Sequence, residues 1–170
     1  EKWKNESAAD FRFCPKVPQR ISHSKDLALN GELIETFCHS IAGLEEKLGC
    51  CFVQLPPYFG ADRLPLLQSL LDRWPASITL AVEFRHESWF ASPQEAPWTA
   101  LRAAGISTVI TDVAGRRDVL HQYLTTDTAM IRFVGNGLHP TDYQRIDEWV
   151  TRLKTWLQGG LREVYFFPHE

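Results

Sequence analysis

Residues 79–86, "TLAVEFRH", decide how the whole chain is read. Side chains of a β-strand point alternately to its two faces. On that alternation Leu80, Val82 and Phe84 share one face, and Thr79, Ala81, Glu83 and Arg85 share the other. The first face suits a layer of helices, whereas the second begins small and ends ionic. A central strand of an open doubly wound sheet packs helices on both faces and reads as continuous Val, Ile and Leu. A closed parallel barrel asks for something different: one face toward helices, the other into a tight interior that opens into a polar mouth at the strands' carboxyl ends.

Five further runs have strand character: "FRFCPKV" (11–17), "CCFVQLP" (50–56), "STVITDV" (107–113), "AMIRFVG" (129–135) and "EVYFFPH" (163–169). The same alternation sets Lys16 opposite Phe13, Gln54 opposite Val53, Asp112 opposite Val109 and Val113, and Arg132 opposite Ile131 and Phe133. Each polar residue is thereby expected at the mouth. Helical patterns separate most of the runs. One is expected from an Asn30 cap to Gly49, with Leu33, Ile34, Phe37, Ile41, Leu44 and Leu48 on its buried face. A second opens at Asp62, with Pro65 in its first turn, and buries Leu64, Leu67, Leu70, Leu71 and Trp74. A short one around "PWTALRAAG" ends at Gly105, and the last starts near Thr141 or Asp142 and carries Ile146, Trp149, Val150, Leu153 and Leu157. Only 114–128 lacks a clear helix.

Strand followed by helix, repeated, predicts an α/β fold: a parallel (β/α) TIM-type barrel, incomplete here with about six strands of eight, as one partial domain over residues 1–170. A parallel sheet left open would expose unpaired edges, so self-association or further chain segments are expected to complete the barrel.

Bulk properties narrow the function classes. The 170 residues are 44% apolar and 23% charged, which suits an ordinary globular domain. A net charge of −3 argues against a surface dedicated to nucleic acid. No stretch approaches the roughly 18 apolar residues of a membrane span. Residues 1–11 lack the apolar core of a signal peptide, so a cytoplasmic location is expected. Cys14, Cys38, Cys50 and Cys51 have neither zinc-ligand spacing nor a disulfide pattern and read as small buried thiols.

The stretches "FRFCPKVPQRISH", "LGCCFVQLPPYF", "LAVEFRHESWF", "VITDV" and "IRFVGN", in this order and spacing, resemble the YecE-like family, a domain of unknown function (DUF72). The resemblance runs over essentially the whole chain and implies a TIM-type barrel. Its recurrent polar positions match Lys16, His23, Gln54, Glu83, Arg85, His86, Asp112 and Arg132. One departure is "VGNG" after the strand holding Arg132, where relatives typically carry a His-Gly pair. Fold analogy to sugar isomerases and to metal-dependent nuclease-like barrels comes with the resemblance, and fold analogy is a weak warrant for activity.

Read as chemistry, Glu83 and Asp112 are the candidate acid/base carboxylates, and Lys16 is the third candidate catalytic group. Arg85 and Arg132 are candidate ligand-binding guanidinium groups; Gln54, His23, His86, Asn136 in the "VGNGLHPTD" loop, and His169 complete the candidate binding set. Lys16, Arg85 and Arg132 outnumber the two carboxylates, which favours a small anionic or sugar-phosphate-like ligand. No metal ligand is assigned. A divalent metal on Glu83, Asp112 and histidines, serving a hydrolase, isomerase or nuclease-like reaction, is one alternative, although no local motif such as H-E-x-x-H enforces it. A non-catalytic module for a small ligand or nucleic acid is the other, with nucleic acid the less favoured partner. The loop aromatics Tyr58, Phe59, Trp89 and Phe90 are expected chiefly to cap the barrel.

Overall fold

The computed structural model describes residues 2–91 and 95–169. Among the described residues five strands form: β1 (Cys51–Gln54), β2 (Leu80–Glu83), β3 (Ser107–Val113), β4 (Thr128–Val134) and β5 (Glu163–His169). They lie side by side in sequence order, each parallel to the next. Sequence order without a switch point is the order of a barrel, and the sheet curls into a half-barrel with helices between its strands.

The expected first strand is a correction in degree. Residues 11–17 pair parallel to the β1 region only through bridges at Phe13–Leu48 and Lys16–Phe52. Val17 N–H donates to the Phe52 carbonyl (2.8 Å) and Phe52 N–H donates to that of Pro15 (2.9 Å). Pro15 and Pro18 have no N–H to give, so a regular ladder cannot continue through them.

Outside the sheet lie α1 (Lys2–Glu6), α2 (Gln19–Ser22), α3 (Leu33–Ala42), α4 (Leu64–Arg73), α5 (Ala96–Ala103) and α6 (Pro140–Gln158). Leu67, Leu70 and Leu71 of α4 and Trp98 and Leu101 of α5 pack with Leu80, Val82 and Phe84, so the helix-facing side of β2 is the one its alternation indicates. α3 is shorter than expected at both ends. Asn30 is not its cap but donates to the Asp26 carboxylate (2.7 Å), and the helix stops at Ala42 before Glu45 adopts a left-handed φ of 50°. In α6, Asp142, Arg145 and Trp149 take the buried stripe, leaving Ile146, Val150 and Leu157 exposed where burial was expected. The stretch 114–128 indeed carries only a single 3₁₀ turn, Arg117–Val119. Among the described residues no helix is long and apolar enough to cross a membrane. All four cysteines are free; Cys50 faces the barrel interior while Cys51 joins the core beneath the helices.

That same 114–128 connection delivers His121 into the core, 7% exposed, between Phe90, Trp98 and Tyr123. Its Nε2–H donates to the Val109 carbonyl (3.2 Å) and its Nδ1 accepts from Tyr123 N–H (3.3 Å), the neutral tautomer. Burial pushes its pKa down to about 4. A lowered folded-state value means that the unfolded chain takes up the proton first, so stability present above pH 6.5 is lost as pH falls toward 4. In urea unfolding, we expect about 3 kcal/mol of pH-dependent loss in that window, and a His121→Gln variant whose stability is flatter across it. Equal slopes for both proteins would remove His121 as the cause.

Candidate functional site

The half-barrel interior is built in two tiers. The lower tier is apolar: Cys50, Ala81, Val109 and Met130 are buried together, with Cys14, Phe52, Tyr165 and Phe167 packed against them. Two residues further along the respective strands, on the same face, come Lys16, Gln54, Glu83, Thr111, Arg132 and His169. The sheet's pleat therefore converts an apolar plug into a polar rim within one step of two residues.

Four of those six side chains join. Lys16 Nζ donates to Gln54 Oε1 (2.8 Å), Gln54 Nε2 donates to Glu83 Oε1 (2.8 Å), and Arg132 Nη1 donates to Glu83 Oε2 (2.6 Å). Glu83 is 2% exposed. A carboxylate so buried needs its oxygens bonded, and here each oxygen has a donor. The amide of Gln54 is thereby fixed in orientation, oxygen toward Lys16 and nitrogen toward Glu83.

Above this chain opens a cavity of about 180 Å³ lined by Gln54, Glu83, Arg85, Thr111, Arg116 and Arg132, with Phe84, Val113, Val119 and Val134 as apolar wall. Among the described residues Arg85 forms no hydrogen bond or ion pair, so its guanidinium faces this space without a protein acceptor. Thr111 Oγ1 is buried with no hydrogen-bond partner there. The excess of positive charge is felt by its neighbours. Lys16 is held below its usual pKa first by burial and then by Arg132 and Arg85, against the pull of Glu83. Burial, Lys16 and Arg85 likewise depress His23. Larger depressions elsewhere, about 840 Å³ along the exposed face of α6 and about 700 Å³ between α1 and α3, gather no comparable set of converging groups.

Asp112 is not part of this rim. It lies on the opposite face of β3, where Arg145 Nη2 (2.8 Å) and Trp149 Nε1 (2.7 Å) of α6 donate to its carboxylate and Arg117 pairs with it as well. Arg145 also reaches Asp142 (3.0 Å), whose other oxygen accepts from Asn136 N–H (2.7 Å). Asp112 and Asn136 thus belong to a clasp that fixes α6 and the loop after β4, and the structure does not bring Asp112 together with Glu83 and Lys16. The reason lies in β3: "STVITDV" is apolar on both faces, so alternation separates Asp112 from Val109 without saying which face is inside.

The histidines divide. His23 sits near Lys16 and Arg85, its Nδ1 bonded to Ser22 Oγ (2.8 Å). His86 caps the 3₁₀ turn Glu87–Trp89, its Nδ1 accepting from Ser88 N–H (3.1 Å), and so serves the loop. His169 stands at the end of β5 in register with Val134. Phe59 and Trp89 are fully buried and stacked, Trp89 Nε1 donating to the Phe59 carbonyl (2.6 Å), whereas Tyr58 is exposed. Arg116 and Thr111 line the cavity but were not expected there. The paired arginines of "AGRRD", directly after a strand end, were the available signal for Arg116; Thr111 within an apolar run gave none. Burial raises the thiols of Cys14 and Cys38 to about 11, which disfavours them as nucleophiles. Among the described residues no three His, Cys, Asp or Glu side chains stand together as a metal site.

The sequence matches the family described as "Protein of unknown function DUF72" over residues 1–170. The chain belongs to the DUF72 family. It is 30% identical over 188 residues to the UPF0759 protein YecE of Escherichia coli K12, covering 99% of this chain and 68% of that protein, and matches YecE of Escherichia coli O157:H7 equally. Two crystal structures of a DUF72 family protein from Enterococcus faecalis V583 superpose with TM-scores of 0.81 and 0.78, at 21% and 23% identity. Both cover 99% of this chain, and 75% and 71% of that one. At such identity the structural likeness carries the fold, and the rim and clasp of this DUF72 chain stand on their own geometry.

Rim and clasp respond differently to substitution. Asp112→Asn should lower unfolding free energy by about 3 kcal/mol or more, since donors of Arg117, Arg145 and Trp149 take both carboxylate oxygens and an amide NH2 in place of either one meets a donor, while leaving the rim intact. Glu83→Gln should keep the fold at a smaller loss, about 1–3 kcal/mol, because the amide still offers Arg132 an oxygen. Urea titrations of both proteins check the order; a larger loss for Glu83→Gln would reverse the two assignments.

Proposed function

We propose that the rim binds a small anion, a carboxylate or phosphate carried by a metabolite of few atoms, and that Glu83 moves a proton on that ligand. The observation that carries this reading is the uncommitted guanidinium of Arg85 beside an already neutralised Glu83–Arg132 pair. A fork of N–H donors without an acceptor, in a partly desolvated concavity, selects a planar or tetrahedral oxyanion. The cavity, about 180 Å³, falls below the range of drug-sized sites and favours a compact ligand over a polymer. Arg132 would then stabilise negative charge that develops during proton transfer, as a fixed cation does in a partly desolvated site.

Two features extend the proposal. The free thiols fit a reducing compartment, so we place the protein in the cytoplasm. β5 lies at the edge of the sheet, and the partner such an edge takes is another strand, from more chain or from a second copy.

Thermal unfolding in rising inorganic phosphate tests the site. A ligand at a hundredfold its Kd stabilises the folded state by about 2.7 kcal/mol. We expect a saturable upward shift that weakens with added salt, survives chelator, and requires at least tenfold more phosphate in Arg85→Ala. No shift, or the same shift in Arg85→Ala, would contradict the proposal.

A further inference from the structure

Resting on the anion site just described, we propose that Lys16 forms an imine with the carbonyl carbon of a small anionic aldehyde or ketone. Two requirements for such a lysine are an amine oriented by a fixed partner and surroundings that disfavour its protonated form. Lys16 meets the first through Gln54, whose oxygen is turned toward Nζ (2.8 Å) because its nitrogen is committed to Glu83. It meets the second through its company. Among the described residues no carboxylate lies in salt-bridge reach of Lys16, the nearby Glu83 being engaged by Arg132 at 2.6 Å, and both Arg132 and Arg85 act on the ammonium as like charges. The lysine pKa is lowered first by partial burial and then by these like charges, against the pull of Glu83. The side chain stays accessible from solvent, as a nucleophile must.

The chemistry balances without a redox partner. Once the ammonium gives one proton to solvent, the amine lone pair adds to the carbonyl carbon, forming a carbinolamine. The carbonyl oxygen then leaves as water, carrying both remaining nitrogen-bound hydrogens and leaving a neutral imine that solvent can reprotonate. Lys16 does not line the cavity itself but borders it through Gln54, so a ligand with its anionic group on Arg85 would present its carbonyl past Gln54 to Nζ, and the imine would act as electron sink for the proton transfer assigned to Glu83.

The test is reductive trapping with cyanoborohydride, which adds hydride to the imine carbon and fixes the adduct, read by peptide mass mapping. Pyruvate is the carboxylate probe and glyceraldehyde 3-phosphate the phosphate probe, so the two sources of anion are separated. The chain has six lysines, of which five serve as internal controls. We expect Lys16 to be labelled at least tenfold faster than Lys154 by one of the probes, with suppression by inorganic phosphate. Labelling of Lys16 no faster than the other lysines, while phosphate still shifts the melting temperature, would overturn the imine and leave the anion site standing. Selective Lys16 labelling that phosphate neither suppresses nor accompanies with a thermal shift would uphold the imine and overturn the anion site.

Discussion

A single buried carboxylate organises the interior of this half-barrel. Glu83, closing β2, reaches a face that is otherwise apolar below it, and removal from water costs several kcal/mol unless donors replace that water. Gln54 and Arg132 supply them from strands on either side, and Lys16 is drawn in through the amide. The interaction therefore ties the carboxyl ends of β1, β2 and β4 together across the concave face, and it spends the charge of Arg132 so that Arg85 remains available.

A second ionic cluster works on the convex side. Asp112, Arg145 and Asp142 occupy the seam between β3, β4 and α6, where Arg145 also lies over the Phe133 ring at 4.2 Å. This clasp explains why α6 turns its charged stripe inward and leaves Ile146, Val150 and Leu157 outside. The same residue types on the two faces of one sheet thus do different things: the convex set is saturated by protein partners, while the concave set keeps unspent donors and the orphaned Thr111 hydroxyl.

How much of this is legible in the sequence depends on contrast between strand faces. "TLAVEFRH" has strong contrast, so its alternation places Glu83 inside and Leu80, Val82 and Phe84 beneath the helices, as observed. Gln54 and Arg132 follow for the same reason. "STVITDV" has no contrast because both faces are buried, and only the contact with Trp149 and Arg145 of α6 reveals where Asp112 points. Helix ends were obscured by backbone: Glu45 at a left-handed φ ends a pattern whose apolar spacing runs on to Leu48. Arg116 reaches the cavity through the path of a loop, which no periodicity encodes.

The claim that this account depends on most is that Glu83 and Arg132, 49 residues apart in sequence, are energetically coupled. A double-mutant cycle in urea with Glu83→Met, Arg132→Met and the double variant, in which either single change removes the pair outright, measures that coupling directly. The account predicts an interaction energy of at least about 1.5 kcal/mol, the lower end for a largely desolvated charged pair. Additive losses, with coupling within about 0.3 kcal/mol of zero, would contradict it.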